Sequence, residues 1–456
     1  MRRVIETLCR LMLRIFFRRV DRVGVERVPL TGPLLIVANH PNGLMDPLVA
    51  LGTSPRPVSF MAKEPLFRMP VVSAFVKGLD CLPIYRHKDG ANPADNRRTM
   101  EAARDLLSRG GAVAIFPEGV SHDQPQLQRL KTGAARMALS TQRLLADVPA
   151  SEPVRIQPVG LYFEDKQTFR SEAVVVWGLP IEVPVVELDA AAEPSREAAL
   201  ALTETIAGRL RALTPEAPDP ARVAMAARVA RMLAAIELAE GEHSRPPGLD
   251  DRLAIMQRLL TRYGDAEQVA PDRLQAVLHR IEAHERDLSY WRLPADHDAR
   301  LSLRGPVRSL VGTLAAMIVL SPLSLVGLLV QYPAYRFIGF VAHRRYAHEN
   351  DVVATAKTLG GLVLFPLSWC AASVVTAMLA SPWAALAVLL AAPLCAWSSL
   401  HLVDHLDALA SARRSLWLLL RGADRCDALL AERRSIRDEL IALDASIPQP
   451  RAASTD

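Results

Sequence analysis

Between residues 30 and 186 the chain alternates short apolar runs, each bounded by turn-forming residues, with stretches of helical periodicity. The runs fall at 34–38, 58–61, 79–85, 112–116, 154–161 and 173–177, and helical patterns lie between several of them, notably over 96–109 and 132–146. Short buried runs alternating with helices predict an α/β domain over residues 30–186, a sheet flanked by helices.

The pattern changes on both sides of this domain. In residues 1–29, Ile5, Leu8, Leu11 or Met12, Ile15 and Phe16 recur at helical spacing with arginines between them. This predicts an amphipathic helix on a membrane surface, the alternative being a helix packed on its own domain. Residues 187–305 carry long Ala/Leu/Arg/Glu stretches separated by proline-rich breaks and predict a helical region. Residues 309–335 and 359–400 have no charged side chain at all. About 20 apolar residues span a bilayer core, so 359–400 predicts two passes turning at Ser381-Pro382. In the first stretch Ser321-Pro322 sits mid-way, which fits one kinked span or a re-entrant hairpin, and basic flanks on both sides favour the hairpin; together they make a membrane region over 306–410, followed by a C-terminal helix and tail over 411–456.

Composition sharpens this division. Half of the 456 residues are hydrophobic and 23% are charged, yet mean hydropathy is +0.14, as expected of a soluble part joined to a membrane part. The net charge of +5 is concentrated at the start, where residues 1–28 hold eight arginines against three acids. Arg336, Arg344, Arg345 and Lys357 flank the apolar stretches, as do Arg413, Arg414, Arg421 and Arg425. The positive-inside rule places these flanks, and the catalytic domain with them, on the cytosolic face of an integral membrane protein. Five dispersed cysteines without a CxxC pair argue against a disulfide framework or zinc site and for a reducing compartment.

The chemistry concentrates at strand ends, where ligands bind in open α/β sheets. The run 34–38 leads directly into Asn39-His40, a Pro41-Asn42-Gly43 turn and Asp46. A histidine whose tautomer is fixed by a carboxylate is a general base. The run 112–116 leads into Pro117-Glu118-Gly119, and the run 79–85 into Arg86. Arginine's fork suits a phosphate, a carboxylate suits acceptor hydroxyls, and Lys63 and Lys131 add positive charge. Together these describe a site for a phosphorylated polyol beside a general base. His401 and His405, four apart with Asp404 between them, lack the glutamate of a zincin and are read as interfacial. No P-loop and no dinucleotide fingerprint is present, and the apolar face of the N-terminal helix favours a membrane over nucleic acid.

Asn39-His40 with Asp46, then Phe116-Pro117-Glu118-Gly119, resembles the hallmark blocks of the glycerolipid acyltransferases, the glycerol-3-phosphate and lysophosphatidic acid acyltransferases. Residues 116–123, 130–134, 169–171, 178–182 and 351–357 extend the resemblance to the branch containing fungal glycerol-3-phosphate/dihydroxyacetone-phosphate acyltransferases. Five residues separate His40 from Asp46, one more than the common family spacing. The resemblance implies a glycerolipid acyltransferase-type sheet with C-terminal transmembrane hairpins. It implies His40 and Asp46 as the catalytic pair, and Asn39, Asn42, Arg86, Glu118, Gly119, Lys63 and Lys131 as substrate-binding residues. It further implies acyl-CoA or acyl-carrier protein as co-substrate, a glycerol-phosphate acceptor, membrane lipids as surroundings, and neither cofactor nor metal.

The reaction expected is acyl transfer to the sn-1 hydroxyl of glycerol-3-phosphate, with a 1-acylglycerol-3-phosphate (lysophospholipid) acceptor as the alternative within the same chemistry. A lipid thioesterase would more often show a GxSxG elbow, which is absent. A non-catalytic membrane-binding relative would have lost one of His40, Asp46 or Glu118.

Overall fold

The structure is a computed structural model that describes residues 1–85, 93–240, 248–290, 304–346, 350–421 and 423–448. The chain forms two compact units, Met1–Asp219 with Arg345–Thr358, and Pro220–Arg344 with Leu359–Asp456.

The first unit begins with helix α1 (Arg2–Phe16), then strands β1 (Arg19–Val23) and β2 (Leu34–Ala38) and helix α2 (Met45–Thr53). There follow β3 (Ser59–Lys63), α3 (Pro70–Gly78), β4 (Leu82–Ile84), α4 (Pro93–Ser108), β5 (Ala112–Ile115) and α5 (Gly133–Ala146). The unit continues through β6 (Arg155–Phe163), β7 (Glu172–Trp177), β8 (Ile181–Glu182) and α6 (Arg196–Arg211). One sheet runs in the order β1-β7-β6-β2-β5-β3-β4, with β8 also on β6. Strands β6, β2, β5, β3 and β4 are parallel, and β7 is antiparallel to β6. The carboxyl ends of five strands therefore share one edge.

Alternation along β2 builds three layers. Leu34, Ile36 and Ala38 join one core with α1 and α2, while Leu35 and Val37 join a second with α4, α5 and α6. A strand buried on both faces must be apolar throughout, which is why this run reads as uninterrupted hydrophobicity.

Two boundaries differ from the sequence expectation. The helix expected over residues 1–29 ends at Phe16, and Arg19–Val23 is the edge strand β1, paired with β7. Ile5, Cys9, Leu13 and Phe16 of α1 are buried on their own domain, and Arg2 pins the helix by donating to the carbonyls of Val58 (2.7 Å) and Leu79 (3.2 Å). Helix α6, expected in the separate helical region, instead completes the second layer through Leu202, Ile206 and Leu210.

The second unit contains α7 (Pro220–Glu240), α8 (Leu249–Val269), α9 (Pro271–Tyr290) and α10 (Arg304–Tyr346). Helix α11 (Asn350–Leu379) starts in the first unit and continues into the second, followed by α12 (Pro382–Arg421) and α13 (Ala423–Ser446). Among the described residues, three stretches are long and apolar enough to cross a membrane: Val311–Arg345, Val353–Leu379 and Pro382–Leu406. The break between α11 and α12 lies where Ser381-Pro382 predicted it. The hairpin expected over 309–335 is instead one continuous helix that accommodates Pro322 and Pro333 in its interior.

Helices α7, α9 and α13 share a small core of Val229, Met232, Val277, Ile281 and Ile436. Beside it His284 is buried and accepts a hydrogen bond from Arg433 Nε at 3.0 Å. Burial, then the Arg433 charge, push the His284 pKa down from 6.5 to about 4. Between those values the unfolded chain binds a proton that the folded chain excludes, so stability falls as pH drops from about 6.5 to about 4. Melting temperatures of the purified protein across this window should decline, and a His284→Gln variant should show a shallower decline.

Candidate active site

His40 follows β2 directly and stands at the shared strand edge. Four contacts fix it. Its backbone N–H donates to Glu118 Oε1 at 2.8 Å, and its carbonyl accepts the His122 N–H at 3.1 Å. The imidazole stacks on Phe116 with centroids 4.2 Å apart and planes 16° from parallel. Its Nδ1 lies 2.7 Å from Asp46 Oδ2. An ionised carboxylate only accepts, so Nδ1 carries the proton and Nε2 is left with its lone pair. No described residue hydrogen-bonds Nε2.

Asp46, in the first turn of α2, is fully buried, and its Oδ2 also accepts the Asn42 N–H at 2.7 Å. The longer His-to-Asp turn thus closes through Gly43, whose φ of 45° permits the bend. Burial pushes the Asp46 carboxyl above its usual range, against the pull of the His40 and Asn42 bonds. Such a carboxylate gains most when His40 becomes positively charged, the state a general base reaches after taking a proton.

The other expected residues divide by position. Asn39 extends the β2–β6 ladder with its side chain, donating to Leu161 O at 3.0 Å and accepting the Leu161 N–H at 2.7 Å. Asn42 is buried inside the turn, with Nδ2 3.4 Å from Lys166 O. Glu118 is buried; beside the His40 N–H it accepts the Gln128 N–H at 2.7 Å and pairs with His122. Its carboxylate is therefore engaged on the loops around His40. Gly119 has φ of 75°, and the Lys131 side chain folds over its α-carbon, where a Cβ would meet Nζ at 2.5 Å. Lys63 ends β3, beside Ile84 of β4. Arg86 lies outside the described residues.

Two contributors had no signal of their own in the sequence. The first turns of α11 deliver Thr355, whose hydroxyl accepts the Leu44 N–H at 3.1 Å at the start of α2. They also deliver Lys357, which donates to Gln167 O at 2.9 Å. Lys166, whose carbonyl faces Asn42, pairs with Asp123 at 2.5 Å. The segment 351–357 carried a family-like pattern, but only folding shows that it braces the His40 turn from more than three hundred residues away.

Removing the Glu118 carboxylate strands two peptide N–H groups, each costing about 1–3 kcal/mol when buried. Glu118→Ala should therefore lower the melting temperature by several degrees together with activity, and Glu118→Gln should lower it less. A carboxylate that served only to hold the acceptor would instead raise KM and leave the melting temperature unchanged.

Residues 11–162 match the sequence model of the family described as Acyltransferase. This part of the chain is an acyltransferase domain. The acyltransferase domain contains β1, β2, β3, β4, β5 and most of β6, with both His40 and Glu118. Glycerol-3-phosphate O-acyltransferase 2 of Saccharomyces cerevisiae is 37% identical over 129 residues, covering 28% of this chain and 17% of that protein. Glycerol-3-phosphate O-acyltransferase 1 of the same yeast is 22% identical over 457 residues, covering 77% and 58%. A 1-acyl-sn-glycerol-3-phosphate acyltransferase of Bacillus subtilis is 27% identical over 191 residues, covering 41% and 84%. The chain thus spans less than two thirds of either yeast relative. Among solved structures, the 1-acyl-sn-glycerophosphate acyltransferase PlsC of Thermotoga maritima aligns with a TM-score of 0.35 and 21% identity, over 46% of this chain and 77% of that one.

Proposed function

We propose that this protein transfers a fatty acyl chain from a thioester donor, acyl-CoA or acyl-carrier protein, to the sn-1 hydroxyl of glycerol-3-phosphate. The observation that carries this reading is the His40 Nδ1 to Asp46 bond of 2.7 Å, which leaves Nε2 as the proton acceptor. His40 Nε2 takes the hydroxyl proton as the acceptor oxygen bonds to the thioester carbonyl carbon. Collapse of the tetrahedral intermediate breaks the C–S bond, and the proton on His40 passes to the departing thiolate. The products are an ester and a free thiol, and no residue of the protein is acylated. Buried Asp46 offsets the charge on the transient imidazolium.

Lys131 over Gly119, with Arg86 and Lys63, supplies positive charge for the acceptor phosphate. The yeast relatives' names support glycerol-3-phosphate as acceptor; the Bacillus subtilis relative's name supports 1-acylglycerol-3-phosphate as the second reading. The apolar helices hold the enzyme at the membrane where its product dissolves, and the arginine-rich flanks support a cytosolic side for the domain that carries His40.

The test is an acceptor panel. Purified protein in detergent is given labelled acyl-CoA or acyl-carrier protein with glycerol-3-phosphate, dihydroxyacetone phosphate or 1-acylglycerol-3-phosphate. The expected product is 1-acylglycerol-3-phosphate. Ester formation only with the lyso acceptor would establish the second reading, and no ester from any combination would refute both.

A further inference from the structure

We infer that only α11 and α12 cross the bilayer, and that α10, the most apolar of the three candidate spans, lies flat within one leaflet with lipid chains as its partner. The inference does not depend on the acyl chemistry. It rests on three observations within the second unit.

The first is a parity. Helices α9 and α13 are packed together, with Arg280 Nε 3.0 Å from Glu432 Oε1 and Arg433 Nε 3.0 Å from His284 Nε2. The chain between them therefore leaves and returns to the same side of the membrane and crosses an even number of times. Irregular backbone does not cross lipid, so only helices count. Three stretches are apolar enough, and α11 and α12 are joined by a tight turn, which makes them cross together or not at all. Helix α10 is the one left out.

The second is a triangle. Near their turn, α11 and α12 touch through Ser373 Oγ, which donates to Ala385 O at 2.8 Å. Away from it, α10 touches α12 through Ser324 Oγ to Ser398 Oγ at 2.8 Å and Ser399 Oγ to Ser324 O at 3.0 Å. It touches α11 through Ile338, 3.2 Å from where a Cβ on Gly360 would stand. At a rise of 1.5 Å per residue, Gly360 lies about 31 Å from the turn along α11, Ser398 about 26 Å along α12, and Ser324 about 21 Å from Ile338. The two contacts on α10 are thus about 21 Å apart, one on each leg and both well away from the turn, so α10 runs across the open end of the hairpin and not along either leg. Helix α10 is thus a crossbar between two legs. Gly360 is about 10 Å along from Val353, where the apolar part of α11 begins, which puts the crossbar inside one half of a core about 30 Å thick.

The third is exposure. Ile318, Val319 and Leu329 are each more than 70% exposed, an apolar surface that lipid chains would cover.

The test uses full-length protein in lipid vesicles, with Cys9, Cys81, Cys370, Cys395 and Cys426 replaced by serine. Nitroxide labels are attached singly at Gly312→Cys, Leu329→Cys and Gly339→Cys. Both glycines face open space, so an added side chain fits there, and Leu329 is 80% exposed. Oxygen-against-nickel collision rates should give the same depth at all three, within one leaflet and short of the bilayer centre. Separately, a membrane-impermeant maleimide should reach Gly305→Cys from one side of the membrane and Ser381→Cys from the other. A midpoint label at the bilayer centre would mean that α10 spans or re-enters, and equal access to Gly305→Cys and Ser381→Cys from one side would mean that the hairpin does not cross. Either result overturns the inference.

Discussion

Replacing His40 by alanine should lower kcat for acyl transfer by about 10²–10⁴-fold, the usual contribution of a positioned general base. No described residue is placed to substitute: the nearest histidine in the same loops, His122, is held on Glu118. The variant also removes the imidazole from Phe116 and leaves Asp46 buried without its Nδ1 partner. The carboxyl, already pushed up by burial, loses with His40 the main partner favouring its charged form and shifts further toward the neutral one. The variant should therefore fold. Its melting temperature would show this directly, and KM for the acceptor should stay within a few-fold of wild type.

Asp46→Asn should be comparably damaging to turnover, by about 10³–10⁴-fold, for a different reason. An amide in place of the carboxylate no longer fixes Nδ1 as the protonated nitrogen and cannot offset the imidazolium, the effect known for the analogous substitution in serine-protease triads. Stability should move the other way. The folded pKa of Asp46 is raised, so its favourable contribution is complete only below the unfolded value of 3.8 and is lost as pH rises through the folded value. At neutral pH the ionised group therefore costs stability, and the asparagine variant should melt at the same temperature as wild type or higher. For the same reason wild-type activity should fall on the acid side at a higher pH than an ordinary surface carboxylate would give. A rate profile from pH 4 to 8 with parallel melting curves would check both statements.

The parts of the fold that were legible in the sequence are those where local pattern and tertiary environment agree. The run Leu34–Ala38 is buried on both faces, and such a strand has to be apolar throughout. Its abrupt change to Asn39-His40 marks the sheet edge as well as the site. The strand Arg19–Val23 was hidden because it lies at the edge of the sheet. Its sequence Arg-Val-Asp-Arg-Val exposes Arg22 and neutralises buried Asp21 with Arg19, so it reads as a continuation of the basic helix before it. Helix α10 is continuous where the basic flanks favour a hairpin, because Ser321-Pro322 is a breaking signal in water, whereas an apolar helix can carry prolines in its interior.

At the site, the pairing of His40 with Asp46 was legible because the two are close in sequence. Asn39 and Glu118 were legible as residues of consequence but not in how they act. The hydrogen bonds Asn39 makes to the Leu161 backbone, and those Glu118 accepts from His40 and Gln128, depend on strand order, which no local pattern specifies. Thr355 and Lys357 show the same limit at greater range, since nothing near either residue announces that it docks on the turn after β2.

The measurement that bears most directly on the central claim is thiol release from an acyl thioester donor, followed with and without glycerol-3-phosphate, in wild type and His40→Ala. If His40 activates the acceptor hydroxyl for direct attack, thiol appears only when acceptor is present, in equal amount with new ester, and the variant releases almost none. Thiol release at the same rate without acceptor, and undiminished in His40→Ala, would contradict the account.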